Sequence, residues 1–253
     1  MPNALKTAWK SGQQTTNGWL AIPSGFSAEV MAQAGFDSIT VDLQHGVQDY
    51  QSMVQCFQGM QKHPVLPMVR VPWNEPGIIG KVLDAGAYGL VCPMINTRDE
   101  AQALVSYMRY PPTGKRSNGP IRAGIYGAAS GYQATANEDI LCLPMIETQQ
   151  AIDNLDAILD VPGIDAVYIG PSDLAFSRGG TPTLDQETQQ AMDTYQLILD
   201  STKKRGLNAC IHCGAPAYAV RMLKMGFDMV TISNDSGIML QAARAAVATV
   251  KAR

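Results

Sequence analysis

The chain has 253 residues, 46% hydrophobic and 16% charged, with a formal net charge of −3 at pH 7. That length suits one large core, and a single barrel domain over residues 1–253 is expected. No basic block interleaves with aromatics to hold nucleic acid, no apolar run approaches the roughly 18 residues of a membrane span, and Met1-Pro-Asn-Ala-Leu-Lys6 lacks an apolar signal core, so a cytoplasmic protein is expected.

Strand-like and helical patterns alternate along the chain. Strands are predicted at Gly18–Ile22, Ser38–Leu43, Val65–Val71, Gly89–Ile95, Leu141–Ile146, Ala166–Ile169, Asn208–His212 and Met229–Ser233. Helices are predicted at Ser27–Ala34, Tyr50–Gln61, Gly77–Ala85, Asp99–Tyr107, Gln149–Leu159, Gln186–Arg205, Pro216–Met225 and Ile238–Lys251. Gly35, Gly86, Gly206 and Gly226 follow the last periodic residue of a helix, where glycine stops helices. Eightfold alternation predicts an α/β protein of the (β/α)₈ TIM-barrel class. A doubly wound open sheet is the alternative, but no G-x-G-x-x-G follows a strand.

The segment Arg109–Asn137 is too long for an ordinary connection. It leads into the fifth predicted strand and is expected to cover the active-site mouth; a disordered insertion is the alternative. Cys92, Cys142 and Cys210 read as small core residues. Cys210 and Cys213 lie three apart on a strand and should face opposite ways, which disfavours a shared metal or a redox dithiol.

In a barrel, chemistry gathers where strands end. Glu147 and Asp173 close two apolar runs separated by one helical pattern, the spacing of a β-α-β unit. Neighbouring strands lie roughly 5 Å apart. Two carboxylates placed so can share one hard divalent cation and leave positions open for substrate oxygens.

Around them the strand ends are polar. His45 follows Val41-Asp42-Leu43-Gln44 and precedes Gly46, which suits a group that moves protons near neutral pH; a surface histidine is the plainer reading. Arg70 ends an apolar strand and needs an anion, either a substrate oxygen or Asp42. Asp42 and Asp84 are candidates to orient His45 or pair with Arg70, although Asp84 sits by a helix end. Trp19 lies in the first strand, and Ser172 and Asp173 follow Gly170-Pro171, where backbone N–H groups suit a carboxylate. His212 ends the seventh strand, either as an active group or as pocket wall; His63 reads as structural. No lysine falls at a predicted strand end, which argues for metal activation of a carbonyl over a Schiff base.

These residues resemble the class II pyruvate aldolases of the 4-hydroxy-2-oxoheptanedioate and 2-dehydro-3-deoxyglucarate aldolase family. The matching pieces run in order: Val41-Asp-Leu-Gln-His45-Gly, Pro67-Met-Val-Arg70-Val-Pro-Trp-Asn, Leu83-Asp84-Ala-Gly-Ala, Arg109-Tyr-Pro-Pro-Thr-Gly-Lys-Arg116, Met145-Ile-Glu147-Thr and Ile169-Gly-Pro-Ser-Asp173-Leu. The resemblance implies a TIM barrel assembled as a homo-hexamer, a dimer of trimers, with C-terminal helices exchanged between subunits. It implies a divalent metal on Glu147 and Asp173, either Mg²⁺, Mn²⁺ or Co²⁺, and no organic cofactor. His45 would perform acid–base chemistry, supported by Asp42 and Asp84, one of them from across an interface. Arg70 would face the carbonyl and enolate oxygens, the N–H groups of Ser172 and Asp173 would hold the donor carboxylate, and Trp19 would wall the pocket. Gln44 and Met145 stand where relatives often carry glutamate and glutamine, which leaves the donor open between pyruvate and hydroxypyruvate.

The sequence thus predicts a carbon–carbon lyase: a metal-dependent aldolase cleaving 4-hydroxy-2-oxoacids to a 2-oxoacid and an aldehyde through a metal-stabilised enolate. Two rival readings are an acyl-CoA lyase of the citrate-lyase β-subunit type, which would need a CoA-binding surface, and a non-catalytic 2-oxoacid-binding protein.

Overall fold

In the computed structural model, which describes residues 3–126 and 131–252, eight parallel strands close into a barrel in sequence order. They are β1 (Thr15–Leu20), β2 (Ser38–Asp42), β3 (Leu66–Arg70), β4 (Gly89–Cys92), β5 (Leu141–Ile146), β6 (Ala166–Ile169), β7 (Asn208–Cys213) and β8 (Met229–Ile232). The predicted TIM barrel is the observed fold. β1 begins earlier than its apolar pattern, because the polar Thr15, Thr16 and Asn17 pair with Met229, Val230 and Thr231 of β8 to close the ring. β4 stops early, because Pro93 and the left-handed Met94 (φ 57) leave the ladder.

Strand side chains alternate between two faces. One set, with Leu20, Ile39, Val41, Val69 and Ile211, packs outward under the helices. The other fills the barrel with Trp19, Met68, Val91, Leu143, Met145, Tyr168, Cys210 and Met229. Cys210 thus faces inward and Cys213 outward, as alternation required. A polar column runs among the inner residues. Ser38 and Thr40 hydroxyls donate to Asn17 Oδ1 at 2.9 and 3.1 Å, Asn17 Nδ2 donates to Thr231 Oγ1 at 2.9 Å, and Tyr168 OH donates to Thr231 at 2.6 Å.

A helix before β1, Ala4–Lys10, was not predicted. Its Leu5 and Trp9 join the inner cluster and close the barrel end where the strands begin. Asn3 caps this helix, and its side-chain N–H groups reach the carbonyls of Tyr88 and Asp139 at 3.0 and 2.8 Å.

The expectation for Arg109–Asn137 is overturned. The described residues of this segment, 109–126 and 131–137, join the helix Arg98–Met108 to the start of β5, and a helix-to-strand connection lies at the end where strands begin, away from the mouth; residues 127–130 lie outside the described residues. It carries two short helices, Ile121–Tyr126 and Tyr132–Asp139. The helix expected over Gln149–Leu159 is two pieces, Gln149–Asp153 and Leu155–Leu159, split at Asn154, whose side chain donates to the Asn96 carbonyl at 2.8 Å.

Candidate active site

Asp42 and Arg70 stand opposite each other in register at the ends of β2 and β3. Arg70 Nε donates to Asp42 Oδ1 at 2.8 Å, and a terminal guanidinium nitrogen donates to Oδ2 at 2.6 Å. Trp19 Nε1 also donates to Oδ2, at 3.1 Å, and the Arg70 guanidinium lies 4.9 Å from the Trp19 ring centroid, a cation–π distance. Burial opposes ionisation of Asp42, but the Arg70 hydrogen bond and charge, with the Trp19 bond, outweigh it and hold the carboxyl below its usual range. Of the two partners open to Arg70, the one within this chain is Asp42.

Asp42 also shapes the turn that follows β2. Its Oδ1 accepts the backbone N–H of Gln44 at 3.1 Å and of His45 at 3.3 Å. It therefore orients the backbone that carries His45; the imidazole itself is exposed on that turn.

Glu147 follows β5 and is only 2% exposed. Its Oε1 accepts the Met94 N–H at 2.7 Å. A Cβ on Gly170, just past β6, would lie 2.3 Å from Glu147 Oε2, so the carboxylate needs a glycine there. Burial foremost pushes the Glu147 carboxyl up to about 7; the Met94 bond lowers it, the Asp173 charge raises it, and the Arg70 charge lowers it. The charges of Asp173 and Arg70 thus both reach Glu147.

Gly170-Pro171-Ser172-Asp173 opens a helix, Pro171–Ser177, with proline at the first position. The first intrahelical bond of this helix runs from Leu174 N–H to the Gly170 carbonyl at 3.0 Å. The N–H groups of Ser172 and Asp173 precede it, at the positive end of the helix. Asp173 is exposed and Ser172 half-buried.

Asp84 does not meet His45 within the chain. It ends the helix Pro76–Asp84, which runs back from β3 to the far end of the barrel, and its carboxylate accepts from Arg116 at 2.7 Å. The Arg116 guanidinium lies 4.4 Å from the Tyr110 ring centroid and 5.4 Å from that of Tyr132. His212 lies in the mouth layer, its ring edge-on to Trp19 at 4.8 Å between centroids and its Nδ1 3.1 Å from Tyr168 OH. Enclosure of that ring, with the nearby Arg70 charge, lowers its pKa to about 3, so it is neutral. The structure thus brings Trp19, Asp42, Arg70, Glu147 and Asp173 into one mouth. Met94 and Tyr168 escaped the sequence reading, because neither a left-handed methionine nor an inward tyrosine has a local signature.

Among the described residues no three His, Cys, Asp or Glu side chains come together as a ligand set. A closed parallel barrel that gathers two acids and a paired arginine at its strand ends defines a class of small-molecule barrel enzyme. The chain belongs to the HpcH/HpaI aldolase/citrate lyase family, whose model matches residues 18–242. It is 39% identical over 251 residues to a hydroxypyruvate/pyruvate aldolase of Rhizorhabdus wittichii, covering 99% of each chain. It is 36% identical to a 4-hydroxy-2-oxo-heptane-1,7-dioate aldolase of Salmonella heidelberg, covering 98% of this chain and 94% of that one. A crystal structure of a family member from Burkholderia cenocepacia superposes with a TM-score of 0.92 at 30% identity, covering 98% of this chain and 99% of that one. The chain is an enzyme, a carbon–carbon lyase of the aldolase kind.

Proposed function

We propose that the chain is a divalent-metal-dependent aldolase that reversibly cleaves 4-hydroxy-2-oxoacids to an aldehyde and a 2-oxoacid, pyruvate or hydroxypyruvate. The observation that carries this reading is Glu147, a buried carboxylate whose ionisation is opposed by burial and by Asp173. A cation between the two acids would remove both obstacles, so the residues fit a metal. All-oxygen donors suit Mg²⁺, Mn²⁺ or Co²⁺, and such an ion, when bound, supplies Lewis-acid polarisation of the substrate's 2-oxo group.

The protein side of the reaction follows from the mouth. Arg70, held rigid by Asp42, adds positive charge where the enolate oxygen develops. The N–H groups of Ser172 and Asp173 take the donor carboxylate, and Trp19 walls the pocket. His45, on its exposed turn, removes the 4-hydroxyl proton as the C3–C4 bond breaks and later returns a proton.

A homo-hexamer built as two trimers is part of the reading. The C-terminal helix Asp235–Lys251 supports it: Asp235 is its one buried residue, while Met239, Leu240, Val247 and Val250 are exposed. Asp235 anchors the start of that helix to the Ala21 N–H at 2.8 Å. Exposed Phe26, Val30 and Val220 on the helices after β1 and β7 offer a partner's helix an apolar seat. In the same assembly Asp84, at the far end of one barrel, serves His45 of another copy. A cytoplasmic location accords with five free cysteines, and no helix among the described residues is long and apolar enough to cross a membrane.

The test is an aldol screen of EDTA-treated enzyme with pyruvate and hydroxypyruvate against several aldehydes, with Mg²⁺, Mn²⁺ or Co²⁺ restored. Metal-restored aldol formation is expected. Full activity without metal, or cleavage of acyl-CoA thioesters alone, would sink the reading. Light scattering should give a mass of six chains.

A further inference from the structure

Glu147 is held through a loop that the reaction itself does not use. Between β4 and the helix Arg98–Met108 the chain turns through Pro93, Met94, Ile95, Asn96 and Thr97. Met94 adopts φ 57, a left-handed backbone that disfavours a residue bearing a Cβ. That conformation aims the Met94 N–H at Glu147 Oε1, 2.7 Å away. Strain of this kind persists only where the surroundings impose it.

The surroundings converge on Asn96. Its Nδ2 donates to the Met94 carbonyl at 3.0 Å. Its Oδ1 accepts from the hydroxyl of Thr148, the residue next to Glu147. One amide therefore grips both sides of the Met94–Glu147 bond, using its donor on one and its acceptor on the other. Asn96 is itself fixed: its N–H donates to Glu100 Oε2 at 2.7 Å, and its carbonyl accepts from Asn154 at 2.8 Å. On the other flank Glu147 Oε2 occupies the space that Gly170 leaves free, where a Cβ would lie 2.3 Å away.

We infer that Asn96 is a positioning residue for the metal carboxylate: it locks Met94 in its left-handed turn and ties that turn to Thr148, so that Glu147 meets a divalent cation already oriented. The inference rests on the metal reading above. Groups that orient a ligand in this way typically change metal affinity by about 10- to 100-fold. Only a side chain with both a donor and an acceptor at this reach can make both bonds.

The experiment is calorimetric titration of Mn²⁺ into metal-free protein, with thermal melting of the same samples to follow folding. Asn96→Ala should bind Mn²⁺ about 10- to 100-fold more weakly than the wild type. Met94→Gly in the same background should recover much of that loss, because glycine enters the left-handed turn without the Cβ penalty. A purely structural role for Asn96 would not be rescued so. Wild-type affinity in Asn96→Ala, or a double variant as weak as the single one, overturns the inference while leaving the metal site intact. Absence of any wild-type Mn²⁺ binding that Glu147→Gln removes would overturn the metal reading, and this inference with it.

Discussion

Arg70 and Asp42 face each other in register across β2 and β3, joined by hydrogen bonds of 2.8 and 2.6 Å. Both are buried, so each charge depends on the other. Asp42→Ala leaves the guanidinium uncompensated and should destabilise the fold by about 3–5 kcal/mol, read from urea denaturation at neutral pH. Arg70→Lys keeps the charge but loses the two-pronged geometry, and kcat should fall even where the variant folds.

Gly170→Ala tests the packing around Glu147. The added Cβ would sit 2.3 Å from Glu147 Oε2 and 2.9 Å from Met145 Cε. The carboxylate must move, so Mn²⁺ affinity should fall markedly in calorimetry. Unchanged affinity would mean that Glu147 is not a ligand in this orientation.

The metal-free protein should show an inverted pH dependence at Glu147. Its folded carboxyl lies at about 7 against the usual 4.5, so the folded state binds this proton more tightly than the unfolded state does. The stability it contributes is full below about pH 4.5 and is lost as pH rises through 7. In EDTA, Glu147→Gln should therefore gain on the wild type by on the order of 3 kcal/mol between acid and alkaline pH. Urea melts at both ends of that window check it, and added Mn²⁺ should favour the wild type again.

His45→Ala separates chemistry from folding. The ring is exposed, so the variant should melt with the wild type and keep its Mn²⁺ affinity. Retro-aldol turnover should drop by about 10²–10⁴-fold, the usual scale for a lost general base. If calorimetry showed metal binding lost, His45 would be a ligand.

Much of this was legible because barrels repeat one pattern. Apolar runs with helical spacers mark eight strands, and Asp42, Arg70 and Glu147 stand at their polar ends. Tertiary facts were harder to read. Leu5 and Trp9 look like any short amphipathic stretch until the barrel offers them an opening. The Arg109–Asn137 segment is different: its order, after a helix and before a strand, assigns its end of the barrel, but its length and loop composition pointed to the mouth. The break at Asn154 and the turn at Met94 are set by bonds to distant residues, which no local propensity records.

Leu5 and Trp9 have a kinetic consequence. With the barrel interior packed and Leu5 and Trp9 sealing its far end, reactants and protons share the mouth at the strand ends. The aldolase reading seats the 2-oxoacid deepest, against Glu147 and Arg70, with the aldehyde nearer His45. Departure becomes a queue in which the aldehyde leaves first. Product-inhibition patterns should then show the 2-oxoacid competing with the cleaved substrate and the aldehyde acting noncompetitively.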